Sequence, residues 1–321
     1  MSEIFRTFAQ NFLKMEVEQI IEYIRIKPYT LKMGAGLLSK RLNASIADVK
    51  QAKHTVKSSR GERNITLTVP KILLFDLEVS PMKAYVWERW RQNISLDQTI
   101  SENFIIAWSA KWLYDSKIMG DVLTPEEIIH EDDFRIVKNL WELINEADIV
   151  IAHNAKHADI PWMNSRFIMH NMIPPKPYLV VDTLEVSRKQ FGFSSNKLDA
   201  LAGYFNIPHK LETGFQLWKS CMEGDEQSLK YMLEYNNRDV LILEEVYLRL
   251  LPWIKSHPNI SMLVQKDCCS HCGSDEYELL EGQYYYTSVG KYQLYRCKHC
   301  GTVFRARLSD KEFRPVNTGL R

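Results

Sequence analysis

K-I-L-L-F-D-L-E-V-S, residues Lys71 to Ser80, joins a continuous apolar run to two carboxylates. Ile72 to Phe75 has the pattern of a strand covered on both faces. Strand side chains alternate, so residues two apart share a face. Asp76 and Glu78 therefore stand side by side at the rim of a buried sheet. Two like charges there repel, and each loses solvation. A bound cation is the simplest compensation; a solvated strand end is the plainer alternative.

Around this stretch lies a chain of 321 residues, long enough for about two or three domains. Its apolar fraction of 45% and charged fraction of 25% are those of ordinary globular proteins. Charge is unevenly spread. Residues 1–69 carry 12 Lys/Arg against 6 Asp/Glu, residues 70–261 carry 20 against 27, and residues 262–321 carry 9 against 7. An acidic middle between two basic ends suits a metal-dependent site flanked by anion-binding modules. No stretch approaches about 18 apolar residues, so no membrane partner is expected. The first residues include Glu3, Arg6, Lys14 and Glu16 without a signal-peptide core. Five of six cysteines follow residue 267, which favours metal binding in a reducing compartment, and the expected location is cytoplasmic.

Residues 1–69 read as a small helical module. Phe5, Phe8, Phe12, Ile20, Ile21 and Ile24 recur at helical spacing, and Pro28 closes that stretch. A second helix is expected from about Leu31 to Leu42, and Ser45 caps a third, with Asp48 three residues on. In the third helix Val49, Ala52 and Val56 form one face, and Lys50, Lys53 and Lys57 form a basic stripe. This is a helix-turn-helix-like pattern, with DNA contact through the stripe. The alternative is a bundle whose lysines are merely solvated. Ser58 to Thr68, with Arg60, Gly61 and Arg63, reads as a wing or a linker.

Residues 70–261 form the main domain. Lys83 to Trp90, Phe104 to Trp108 and Lys117 to Leu123 read as strands beside Lys71–Ser80. Asp132 to Ala147 is an amphipathic helix, and D-I-V-I-A at Asp148 to Ala152 another buried strand. A helix from about Ile160 to His170, a strand at Tyr178 to Val181 and a mostly helical remainder complete a mixed α/β sheet. Asp182, before Leu184, reads most simply as a helix cap.

Three further signals bear on chemistry. His153-Asn154 ends a buried strand, and Asp159 follows five residues later; Y-N-N-R-D places Tyr235 and Asp239 one helical turn apart. Each is weak alone, but their order is specific. F-D-L-E, H-N-A-K-H-A-D-I-P, K-L-D-A-L-A and Y-N-N-R-D over about residues 70–255 resemble the DEDD 3′–5′ exonucleases. The tyrosine points to the DEDDy branch, alongside the proofreading domains of family B DNA polymerases. His157-Ala158 departs from the pattern, since the polymerase versions usually carry Phe before the aspartate.

The resemblance implies a ribonuclease H-like fold and two-metal hydrolysis of DNA from the 3′ end, with two Mg²⁺ or Mn²⁺ ions. It implies that Asp76 bridges both ions, Glu78 and Asp239 complete the water-activating site, and Asp159 holds the second ion. Tyr235 would orient the water. Asn154 would contact the substrate, or serve only as a turn-forming residue. Hard cations require oxygen ligands, which agrees with these carboxylates.

Residues 262–321 carry two C-x-x-C-G knuckles, Cys269/Cys272 and Cys297/Cys300, separated by 24 residues. Such pairs specify one tetrahedral four-thiolate Zn²⁺ strongly. With a hairpin turning near Ser288-Val289-Gly290, the segment resembles a β-rich zinc ribbon that needs its metal to fold. Cys221 and Cys268 are spare, and His271 and His299 are expected to point outward. Tyr284 to Tyr286, Lys291, Tyr292 and Arg296 suit either nucleic acid or protein docking.

The reading is a metal-dependent 3′–5′ exonuclease on single-stranded DNA 3′ ends, with flanking duplex held by the N-terminal module. A separate DNA polymerase or replisome component is a candidate partner. The rivals are an RNA 3′–5′ exonuclease and a non-catalytic DNA-binding regulator on an inactive scaffold.

Overall fold

The structure, a computed structural model, describes residues 16–26, 34–61, 70–208, 213–288 and 290–308. They fall into two compact units, Met1–Thr68 and Val69–Arg321, each described by itself.

In the first unit α1 (Val17–Ile26), α2 (Ala35–Leu42) and α3 (Ile46–Gly61) surround a small core of Ile20, Ile24, Leu38, Leu42, Val49 and Ala52. The α2–α3 turn is tight because Asn43 adopts φ 48°, a region asparagine tolerates. The Ser39 hydroxyl donates to the Ala44 carbonyl at 2.6 Å. The Asp48 N–H donates to the Ser45 hydroxyl at 3.0 Å, so Ser45 caps α3. Lys50 is exposed and Lys53 half-buried. Helix α3 continues through Arg60 to Gly61, into the expected wing or linker. The predicted helix over Phe5, Phe8 and Phe12, the Lys57 and Val56 side chains, and Arg63 lie outside the described residues.

The second unit opens with β1 (Ile72–Val79), followed by a small hairpin of β2 (Lys83–Ala84) and β3 (Thr99–Ser101). Then come β4 (Ile105–Trp112), β5 (Ile118–Val122), α4 (Pro125–His130), α5 (Phe134–Glu146) and β6 (Ile149–Ala152). The chain continues through α6 (Asp159–Met169), β7 (Leu179–Asp182), α7 (Thr183–Gln190), α8 (Leu198–Tyr204), α9 (Phe215–Met222) and the long α10 (Glu226–Leu250). It closes with α11 (Ile260–Val264) and a three-stranded sheet of β8 (Tyr277–Thr287), β9 (Gly290–Cys297) and β10 (Val303–Arg305).

The main sheet has the order β5-β4-β1-β6-β7. β5, β4 and β1 are antiparallel, whereas β1, β6 and β7 run parallel. Central β1 is covered on both faces, as its apolar run requires. Leu73 and Phe75 pack with Ile136, Leu140, Met163 and Phe167 of α5 and α6. Leu74, on the opposite face, packs with Val186, Leu201, Val240 and Leu243 of α7, α8 and α10. The fold is thus a mixed α/β sheet between helices, with a β-rich, cysteine-bearing sheet after it.

One strand expectation shortens. Lys83 to Trp90 reads as a strand, yet only Lys83 and Ala84 pair. Trp87 is 94% exposed, so no layer buries the apolar side chains that would stabilise a longer strand there.

Candidate active site

Leu74, Asp76 and Glu78 alternate onto the β1 face that meets α10. The register with β4 shifts between Glu78 and Val79, an irregularity of the kind that re-aims side chains at a sheet rim. Helix α10 is capped by Asp225, whose carboxylate accepts from the Ser228 N–H at 2.8 Å. It crosses this face for 25 residues. Val240, Leu243 and Val246 bury against the sheet, and the same periodicity turns Asp239 inward.

Polar contacts set the register of α10 on the sheet. Asn236 Nδ2 donates to Asp76 Oδ2 at 2.7 Å, and the Ser109 hydroxyl donates to Asn237 Oδ1 at 2.9 Å. Lys111 pairs with Glu244 at 2.5 Å in a nearly dry setting, and Glu244 also accepts from the Tyr114 N–H at 3.0 Å. Gly120 of β5 permits close approach: a Cβ there would lie 2.9 Å from Leu233 Cδ1 and 3.1 Å from the Trp108 carbonyl. The result is that oxygens of Asp76, Glu78 and Asp239 all lie within 4.8 Å of one another. Glu78 and Asp239 are buried. Tyr235, one turn before Asp239, is half-buried and meets Trp218 edge-on at 6.3 Å.

Asp159 is the buried first residue of α6 and is not one of the three carboxylates that gather within 4.8 Å. The backbone amide of Leu77, the residue between Asp76 and Glu78, favours the charged form of its carboxyl. Burial pushes it up to about 7, and the Asp182 charge adds to the shift. Helix α6 is anchored by Asp133, which is fully buried. Asp133 accepts from Arg166 Nε and Nη2, both at 2.7 Å, from the Ile105 N–H at 2.9 Å, and lies 2.6 Å from His170 Nε2. Nothing in the sequence pattern singled out Arg166, Asp133 or His170.

Asp182 does cap α7, accepting from the Leu184 and Glu185 N–H groups. It also accepts from the Asn154 N–H at 3.0 Å and the Lys156 N–H at 3.1 Å. The cap therefore ties the loop before Asp159 to the end of β7. Asn154 itself sits at φ 77°, the turn-forming role weighed for it, and its side chain also lines a cleft.

That cleft, about 430 Å³, runs from Asp76 past Asn154 to Arg188 and the polar segment Ser194–Lys197. Sequence reasoning missed this wall. Its only local signal was the S-S-N-K run before L-D-A-L-A. His153 holds the wall in place, with Nδ1 2.9 Å from the Thr183 hydroxyl and Nε2 3.0 Å from the Asn196 carbonyl.

The two knuckles repeat one backbone design. Gly273 donates to the Cys269 carbonyl and Gly301 to the Cys297 carbonyl, at φ 77° and 78°, values that favour glycine. All four sulfurs lie within 4.8 Å of one another. Cys269 and Cys300 are 3.7 Å apart, Cys272 and Cys297 3.6 Å. A tetrahedron of sulfurs with metal bonds of about 2.3 Å has edges of about 3.8 Å, so these residues fit a four-thiolate metal. His271 differs from expectation. Its Nε2 lies 2.8 Å from the Ile254 carbonyl and its ring stacks on His257 at 4.9 Å, so it faces the domain. The spare Cys221 is buried in the main core, and Cys268 is buried beside the first knuckle.

Residues 121–251 match a family model described as the RNase_H superfamily. The main domain is RNase H-like. This is generally a nuclease fold, and the matched span contains Asp159, Tyr235 and Asp239. It begins after β1, so Asp76 and Glu78 lie outside the matched span and meet Asp239 through the geometry described above. No curated protein matches the chain. Among the described residues, no helix is long and apolar enough to cross a membrane.

Proposed function

We propose that the chain is a metal-dependent 3′–5′ exonuclease that hydrolyses DNA phosphodiesters and releases nucleoside 5′-monophosphates. The observation that carries this is the convergence of Asp76, Glu78 and Asp239 oxygens within 4.8 Å. Three carboxylates so close repel one another, and two of them are buried. All-oxygen donors of this charge suit Mg²⁺ or Mn²⁺. Asp76, Glu78, Asp239 and Asp159 are the residues that would hold two such ions. Bound there, the ions would lower the pKa of the attacking water and offset charge on the phosphate and the leaving 3′-oxygen.

The chain's own groups supply positioning. Asn236 fixes the Asp76 carboxylate by its hydrogen bond. Tyr235 orients the attacking water through its hydroxyl; a phenol with a pKa of about 10 is a poor base at neutral pH. Asn154 contacts the strand near its end, and Arg188 and Lys197 on the same cleft wall offer cations to phosphates. The 3′ polarity and the DNA preference are supported by the resemblance to DEDDy proofreading domains. In this reading Lys50, Lys53 and Lys57 hold flanking duplex, and Cys269, Cys272, Cys297 and Cys300 hold one structural Zn²⁺. A separate DNA polymerase or replisome component would be a candidate partner.

The test incubates purified protein with labelled single-stranded DNA and RNA, with and without Mg²⁺, beside an Asp76→Ala variant. Mg²⁺-dependent mononucleotide release from the 3′ end of DNA, absent in the variant, is the expected result. Activity on RNA alone would transfer the reading to an RNA exonuclease. A folded protein that binds DNA and hydrolyses neither substrate would favour the DNA-binding regulator.

A further inference from the structure

Beyond Glu78 the chain enters a loop whose base is held and whose tip is bare. Ser80 fastens the start: its N–H donates to the Phe104 carbonyl at 2.8 Å, and its hydroxyl accepts from the Phe104 N–H at 2.9 Å. Asn103 Nδ2 donates to the Ser80 carbonyl at 2.6 Å. Further out, Tyr85 and Gln98 exchange bonds, and Lys83 pairs with Glu131 at 2.7 Å. The tip is Y-V-W-E-R-W-R, residues Tyr85 to Arg91. Tyr85 is 75% exposed, Trp87 94% and Trp90 81%, with Arg89 and Arg91 exposed between and after them.

Indole rings standing in water are costly, and Trp87 and Trp90 are more exposed than any other tryptophan among the described residues, the next being Trp253 at 60%. Here they alternate with guanidinium groups in an otherwise acidic domain, and the loop springs from the strand that carries Asp76 and Glu78. Flat aromatic faces interleaved with cations match bases and phosphates of an unpaired strand.

We propose that Tyr85 to Arg91 is a stacking platform for single-stranded nucleic acid. Trp87 and Trp90 hold bases, Arg89 and Arg91 hold phosphates, and the platform feeds the strand toward the carboxylates. This rests on the exonuclease reading and deepens it by assigning where the unpaired strand is gripped. Binding in chelator separates grip from chemistry.

The experiment compares full-length wild type with Trp87→Ala/Trp90→Ala and Trp87→Phe/Trp90→Phe proteins. The probe is labelled oligo(dT) of about 16 nucleotides, a length within known single-strand site sizes. Binding in chelator is read by anisotropy and tryptophan quenching, and hydrolysis in Mg²⁺ by kcat and KM. The expected result is that the alanine pair binds about ten- to hundredfold more weakly. Its KM should rise by a similar factor with kcat at saturation kept, and the phenylalanine pair should recover most of the loss. An Arg89→Gln/Arg91→Gln protein should flatten the salt slope by about 1.4. Unchanged affinity of a folded alanine pair would overturn the platform while leaving the exonuclease reading standing. Wild type that binds through these tryptophans but never hydrolyses would sink the exonuclease reading alone. A wild-type dimer that the alanine pair dissociates, with equal oligonucleotide affinity, would reassign the surface to self-association and end the proposal.

Discussion

Asn236 and Tyr235 are neighbours on α10 with different surroundings. The Asn236 amide holds Asp76 Oδ2 at 2.7 Å, coupling β1 to α10 across 160 residues of chain. Tyr235 instead packs edge-on against Trp218, which orients its ring without consuming its hydroxyl in that contact. Substituting Tyr235→Phe keeps the ring and removes only the hydroxyl. Turnover is expected to fall about ten- to thousandfold, about 1.4–4 kcal/mol of barrier. Mn²⁺ affinity, read by calorimetry, should stay within about twofold of wild type. A parallel collapse of metal affinity would make Tyr235 part of the metal shell or the core.

Helix α6 begins at Asp159, and the Asp133–Arg166–His170 cluster holds the helix. Arg166 and Asp133 form a charged pair with almost no access to water. Removing one partner strands the other, which typically costs about 3–5 kcal/mol. Arg166→Met should therefore lower stability by about that much in urea titration. It should also lower exonuclease rate in the surviving folded protein, because Asp159 loses its support. A stability change under about 1 kcal/mol would mean that water or His170 compensates the Asp133 charge. In the first unit, α3 presents Lys50 exposed and Lys53 half-buried on the helix whose other face buries Val49 and Ala52. If Lys50, Lys53 and Lys57 contact phosphates, log affinity falls with log salt at about −3 on duplex and about −2 on single strands. Triple replacement with Ala should raise KM on recessed duplex ends and barely alter hydrolysis of short single strands. Equal losses on both substrates across a salt series would remove the duplex-holding role.

At the scale of the whole molecule, two candidate metal sites differ in donor chemistry. Carboxylates gather at the rim of the main sheet, and thiolates gather in the terminal sheet. Soft sulfur selects Zn²⁺, and hard oxygen selects Mg²⁺ or Mn²⁺. Elemental analysis after gel filtration should find about one zinc per chain. The thiolate sheet is not isolated: Cys272 and Cys300 pack against the cluster containing Ile254 and Ile260, and His271 reaches the Ile254 carbonyl. Stripping zinc with a strong chelator should thus expose the terminal sheet to protease and lower the melting temperature of the main domain slightly, without unfolding it. A zinc-free protein whose terminal sheet stays ordered would refute the assignment.

What the sequence by itself determined was set by short-range pattern. The apolar run Ile72 to Phe75 named the central strand, and period two placed Asp76 and Glu78 on one face. The i, i+4 spacing placed Tyr235 and Asp239 on one side of a helix, and the two knuckles named the sulfur cluster. Asp182 was legible as a cap because capping is local. Tertiary structure decided the rest. The aromatic-rich stretch Lys83 to Trp90 reads as a strand, but a strand needs a partner and a layer to bury it, and neither follows from the stretch itself. Ser109 and Lys111 lie buried in β4 because Asn237 and Glu244, more than a hundred residues on, satisfy them. The same holds for Asp133 beneath Arg166 and for the cleft wall from Arg188 to Lys197. Local periodicity records which face a residue takes, but not which distant group meets it there, because that meeting depends on how α6, α7 and α10 dock on the sheet.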